Sequence, residues 1–69
     1  MPDETVGAIL RRREVERKTG LKRSAIYALM KESRFPKAVP LSGRAVGWLE
    51  SEIGAWQRAR IADRDRKAA

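Results

Sequence analysis

Val15-Glu16-Arg17-Lys18-Thr19-Gly20-Leu21-Lys22-Arg23-Ser24-Ala25-Ile26-Tyr27-Ala28-Leu29-Met30 is the stretch on which the fold turns. It reads as a short helix, a glycine turn and a second helix with a basic, aromatic outer face. That is the pattern of a helix-turn-helix, whose second helix can lie in a DNA major groove. Gly20 stands where the first helix must stop, because a C-terminal cap commonly needs the left-handed conformation that glycine adopts without strain. Leu21 can fold back onto the helix just left. From Lys22 the pattern is helical again, with Ile26, Leu29 and Met30 on one stripe and Ala25 on its flank. At about 100° per residue the opposite face carries Arg23, Ser24, Tyr27 and Lys31. Such a face offers donors for base edges and phosphates, and one ring for apolar or stacking contact.

The rest of the chain limits what this unit can do. Sixty-nine residues make one small domain of modest stability, with too little material to enclose a substrate and support a catalytic shell. There is no cysteine for a disulfide or thiolate site and no histidine as general base or zinc ligand. The acids lie scattered among bases. These features argue against an enzyme, and no cofactor or metal site is expected. Sixteen Lys and Arg stand against nine Asp and Glu, a net charge of +7. Between Arg11 and Arg44 there are eleven bases and only Glu14, Glu16 and Glu32. The positive excess therefore falls on the helix-turn-helix and the segment after it, as phosphate binding requires, although a merely soluble basic surface would look similar. No apolar run approaches a membrane span and no signal-peptide core stands near the start, so a cytoplasmic protein is expected.

Read in order, residues 1–7 are polar, broken by Pro2 and Gly7, and are expected to be disordered. Ala8-Ile9-Leu10 suits a small edge strand or an extended arm. Arg11-Arg12-Arg13 is either a solvated start to the first helix or a direct phosphate contact. That helix should run from about Arg13 to Thr19, with Arg12 where a capping Ser, Thr or Asp would be preferred, and Val15 packed inward. The second should run from about Lys22 to Glu32, with Lys22 at the N-cap position. A cation there opposes the helix dipole, a penalty that an arriving phosphate would reverse.

Phe35-Pro36-Lys37-Ala38-Val39-Pro40-Leu41 cannot be helix. Val39 and Leu41 around an outward Pro40 fit an edge strand, Ser42-Gly43 is a turn, and Ala45-Val46-Gly47-Trp48 alternates small and large. Together they predict a two-stranded hairpin, or wing, with Arg44 near its tip and Val39, Leu41, Val46 and Trp48 turned to the core. A third helix should begin near Leu49 or Glu50, with Leu49, Ile53 and Trp56 as its apolar stripe. The two tryptophans could be a base-stacking platform, but in so small a domain such a stripe is far more often core. Only Ile61 anchors the chain beyond Gln57, so residues 63–69 should fray into a basic tail. The expected domain is 8–62, and there are no internal repeats. The fold class is α+β, mostly α: a small winged helix-turn-helix.

With these residues in hand, the chain resembles the AlpA-type prophage regulatory family, close relatives of the small winged-helix excisionases. The resemblance rests on Glu14-Val15, Thr19-Gly20-Leu21, Arg23-Ser24-Ala25-Ile26-Tyr27 and Phe35-Pro36-Lys37. It continues through Gly43-Arg44-Ala45-Val46-Gly47-Trp48 and Ser51-Glu52-Ile53-Gly54-Ala55-Trp56, and covers about Ile9 to Arg60. Departures are Lys22, where a small capping Ser is usual, Ala25, where Thr is common, and Arg12. The resemblance implies a DNA-binding domain akin to the winged helix of MerR-type regulators. It implies one of two tasks: transcriptional control of a prophage or integrated element, acting on integrase expression, or an excisionase-type directionality factor that bends attachment-site DNA.

The expected contacts follow from side-chain chemistry. Arg23 can bond guanine O6 and N7 together. Ser24 and Tyr27 would meet phosphate or a thymine methyl edge, unless Tyr27 packs over the first helix. Lys22, Lys31 and Lys37 are candidate phosphate contacts, the last two otherwise simply solvated, and Arg44 would reach the adjacent minor groove or its phosphates. The expected partner is double-stranded DNA, with further copies of the chain on repeated sites or an integrase, and no membrane or small-molecule substrate. A competing class is a protein-interaction module binding a recombinase or polymerase subunit. Against it stands the expectation that nearly every large apolar residue is needed in the core. RNA binding lacks aromatic platforms interleaved with basic strands.

Overall fold

The computed structural model describes residues 7–68, so the expectation for residues 1–6 lies outside the described residues. The chain forms β1 (Ile9–Leu10), α1 (Arg12–Thr19), α2 (Arg23–Lys31), β2 (Val39–Ser42), β3 (Ala45–Leu49) and α3 (Glu50–Ala68). The three strands make one antiparallel sheet in the order β1-β3-β2. This is the architecture of a small winged helix-turn-helix, α+β and mostly helical, with the N-terminal arm added to the wing as a third strand.

Helix α1 begins one residue earlier than expected, and Arg11 rather than Arg12 is its N-cap. An arginine side chain has no acceptor to offer the free amides. The cap is made from the other side, where Glu14 Oε1 accepts the Arg11 N–H at 3.0 Å. Arg11 Nε meanwhile donates to the Val46 carbonyl at 3.1 Å, fastening the helix start to β3. The helix ends at Gly20 in the left-handed region, φ 79°, whose N–H donates to Glu16 O at 2.8 Å. Thr19 Oγ1 accepts the Leu21 N–H at 3.2 Å, and Leu21 packs against the core.

Helix α2 keeps Lys22 as its N-cap, with no side-chain capping bond. Its far end closes as a Schellman motif: Arg34 N–H donates to Leu29 O at 2.8 Å and Ser33 N–H to Met30 O at 3.0 Å. Ser33 occupies the left-handed position at φ 60°, where glycine is the usual residue.

Leu10, Val15, Ile26, Phe35, Trp48 and Ile53 form the buried core, one each from β1, α1, α2, the connection after α2, β3 and α3. Trp48 is fully buried, and its Nε1 donates to Pro36 O at 3.1 Å. Half-buried Trp56 donates to Arg34 O at 3.1 Å and meets the Phe35 ring edge-on at 5.0 Å. Both tryptophans thus serve packing, and their N–H groups hold the segment between α2 and the wing. Helix α3 is tied to the residue before β1 by Glu50 N–H to Ala8 O at 2.9 Å, and to α1 by Gln57 Nε2 to Lys18 O at 2.7 Å.

The wing departs from its expected facing. Val39 is opposite Gly47 and Pro40 opposite Val46, with a shift of register between Pro40 and Ser42. Opposed residues share a face of the sheet, so Val39 lies on the side away from Val46 and Trp48. Leu41 is on that side too, near the bare Cα of Gly47, and is 41% exposed. Ile9 joins it at 38% exposed, so some large apolar residues stay outside the core. The physical reason is Gly47 itself. A Cβ there would collide with Ile9 Cγ2 and come within 2.9 Å of Leu10 O, so a missing side chain is what lets β1 lie close on β3.

Helix α3 continues through residues 63–68, where fraying was expected. Asp63 contributes on this stretch, taking Arg66 at 2.6 Å, Lys67 at 3.4 Å and Arg60 at 3.6 Å, with helix pairs of this kind each adding a few tenths of a kcal/mol. The Lys67 charge foremost, with hydrogen bonds from Arg66 and Lys67 and the Arg60 charge, holds its carboxyl below the ordinary carboxylate range, against desolvation, which pushes the other way.

Three outcomes are expected. Gly47→Ala should destabilise the fold by about 1–3 kcal/mol in denaturant unfolding, since the strand contact is overpacked. Ser33→Gly should stabilise it by up to about 1 kcal/mol by relieving left-handed strain. For Asp63, a depressed folded-state pKa means its contribution is present above the ordinary carboxylate range and lost as pH falls through the lowered value. Circular dichroism should therefore show helix content falling in that acidic window, and Asp63→Asn should remove that part of the titration.

Candidate nucleic-acid interface

Helix α2 is amphipathic, and its two faces are fixed by Ile26. That side chain is fully buried, with Leu29 and Met30 packed beside it, which turns Arg23, Ser24, Tyr27 and Lys31 to solvent. Four of the seven candidate residues, Lys22, Arg23, Ser24 and Tyr27, come together with Glu16 of α1 along one shallow cleft. Lys31 continues the same side of the helix two turns beyond Arg23.

Tyr27 is 38% exposed, so it is neither a core ring nor a free one. Its ring meets Trp48 edge-on at 6.3 Å, and the Arg23 guanidinium lies 5.5 Å from its centroid. Arg23, Tyr27 and Trp48 thus form a stack from solvent to core. A guanidinium held over an aromatic ring is restrained before it meets any partner, which lowers the entropy lost on forming a forked pair of hydrogen bonds.

The remaining candidates lie apart from the cleft. Arg44 is exposed in the Gly43–Arg44 turn at the tip of the wing. Lys37 is exposed in the connection before β2 and borders a different groove, between Pro36–Pro40, Leu49 and the Glu52–Ala55 side of α3. The three consecutive arginines also divide. Arg11 braces β3, Arg12 pairs with Glu16 at 3.0 Å, and Arg13 is exposed. The residue that sequence reasoning passed over is Glu16. Its spacing of four from Arg12 was the available signal, since residues i and i+4 face each other on a helix. Among the described residues there is no cluster of acids that could hold a metal ion, and no helix is long and apolar enough to cross a membrane.

Comparison with known proteins gives this geometry its relatives. Residues 8–61 match the family described as prophage CP4-57 regulatory protein (AlpA). Protein ORF88 of Enterobacteria phage P4 is 47% identical over 66 residues, covering 96% of this chain and 75% of the phage protein. The DNA-binding transcriptional activator AlpA of Escherichia coli (strain K12) is 35% identical, covering 88% of this chain and 99% of its own length. The matched span takes in every element from β1 to the middle of α3, and on these grounds the chain belongs to the AlpA family of prophage regulatory proteins.

Proposed function

We propose that this protein is a sequence-specific DNA-binding transcriptional regulator of a prophage or integrated element, acting on integrase expression. The observation that carries the reading is the solvent face of α2, where Arg23 is stacked on Tyr27 beside Lys22 and Ser24. Membership of the AlpA family and the similarity to a relative named as a DNA-binding transcriptional activator support it.

In this reading α2 enters the major groove. Arg23 donates to guanine O6 and N7 as a fork, and Ser24 and Tyr27 meet a phosphate or a thymine methyl. Lys22 stands at a helix end with no side-chain cap, where a backbone phosphate would satisfy both the free amides and the dipole. Lys31 and Lys37 add phosphate contacts, which orient the domain without reading sequence. Arg44 at the wing tip reaches the neighbouring minor groove or its phosphates. So small a domain covers few base pairs, so useful affinity calls for several copies on repeated sites or for a partner such as an integrase.

Genome-wide footprinting in the host locates the site, and peaks upstream of an integrase gene, rather than inside an attachment site, are expected. On duplexes carrying that site, Arg23→Ala should cost about 1–3 kcal/mol and relax discrimination at one base pair. Lys37→Ala should weaken specific and random duplexes alike and reduce the salt slope by about one. Equal losses on both duplexes for both variants would refute the division of roles.

A further inference from the structure

A second cleft lies on the α1 side of the turn, lined by Arg12, Arg13, Glu16, Arg17 and Lys22 around Gly20 and Leu21. It shares Glu16 and Lys22 with the cleft at the start of α2, so the two are neighbours. Four cations here face one carboxylate. Among the described residues Arg13, Arg17 and Lys22 have no acid within ion-pair distance, and Arg12 alone is matched, to Glu16 at 3.0 Å. The Glu16 side chain is only 22% exposed, so its charge is partly withdrawn from water and acts on the cleft rather than on bulk solvent.

Gathering like charges around one short helix is unfavourable unless an anion relieves them. A tetrahedral anion with several acceptor oxygens is the ligand that guanidinium forks match best. Resting on the DNA-binding reading, we propose that this cleft is a second backbone-phosphate site for duplex DNA, and that Glu16 fills it in the free protein. On binding, Arg12 exchanges the Glu16 carboxylate for a phosphate oxygen while Arg13 and Arg17 close from the sides. Glu16 then makes every backbone contact here conditional. Any duplex must displace the internal carboxylate, at the same cost with or without the base contacts of α2, so Glu16 weakens binding to specific and random sequence alike.

The test uses the intact chain and measures affinity for specific and random duplexes across a range of salt. Arg13→Ala with Arg17→Ala removes exposed side chains and should lower the salt slope by about one to two, at about 0.9 for each phosphate no longer neutralised. A matched pair on α3, Arg58→Ala with Arg64→Ala, removes the same charge elsewhere and should leave the slope close to wild type. Glu16→Gln should tighten binding to random and specific duplexes alike, several-fold, and leave their ratio close to wild type. An unchanged slope in the α1 double variant, an equal change in the α3 pair, or weaker random binding by Glu16→Gln would each overturn the proposal. Replacing chloride with inorganic phosphate at equal ionic strength should leave wild-type affinity unchanged. Competition that vanishes in the α1 double variant would make this a free-phosphate site instead. Wild-type protein without salt-sensitive duplex binding would overturn the underlying DNA reading itself.

Discussion

The indole of Trp48 is the point about which this small domain is assembled. It is fully buried, its N–H is taken by the Pro36 carbonyl, and its ring edge supports Tyr27. One side chain on the wing therefore touches the connection after α2 and the outer surface of α2 at once. Trp56 repeats the arrangement from α3, with its N–H on Arg34 O and its ring against Phe35. Between the two indoles the Arg34–Pro36 segment is held by hydrogen bonds that extended, proline-containing chain could not make with itself. With six buried core residues among those described, that fixing of an irregular segment adds to what the apolar area supplies.

This packing decides how α2 is displayed. Ile26 anchors one side, and Tyr27 leans on Trp48 from the next, so the helix cannot rotate about its axis without unseating a core side chain. Helix α1 is held as firmly, by Arg11 to β3 at its start and by Gln57 of α3 at its end. The cationic surface is thus carried on elements whose orientation is set by packing and backbone hydrogen bonds. Its charges remain available because few are used to hold the fold together.

Much of this was readable from residue types. The glycine stop at Gly20, the Ile26–Leu29–Met30 stripe, the capping position of Lys22 and the solvent face of α2 follow from helical periodicity, which acts locally. What escaped depends on contacts between distant segments. The role of Gly47 is visible only once β1 is known to lie against β3, because an open glycine and a crowded one are identical in sequence. The facing of Val39 and Leu41 was misread because alternation gives period but not register, and the register sets Val39 opposite Gly47 rather than beside Val46 and Trp48. The α1 cap was misplaced by one residue because the capping group comes from Glu14, three residues inside the helix. Within the site, Arg23, Ser24 and Tyr27 could be assigned to one face, whereas the shared position of Glu16 between two clefts required the crossing of α1 and α2.

Among the described residues the sheet has two free edges, and both are poor templates for another chain. Strand β1 is two residues long, and β2 carries Pro40, which has no amide proton to donate, with the slip in register directly after it. A row of amides and carbonyls ready to extend the sheet is therefore missing, although Ile9 and Leu41 lie exposed nearby. Copies brought side by side at high local concentration can meet through side chains but not by fusing their wings into a continuous ribbon. The broken edge therefore disfavours strand-to-strand joining between copies.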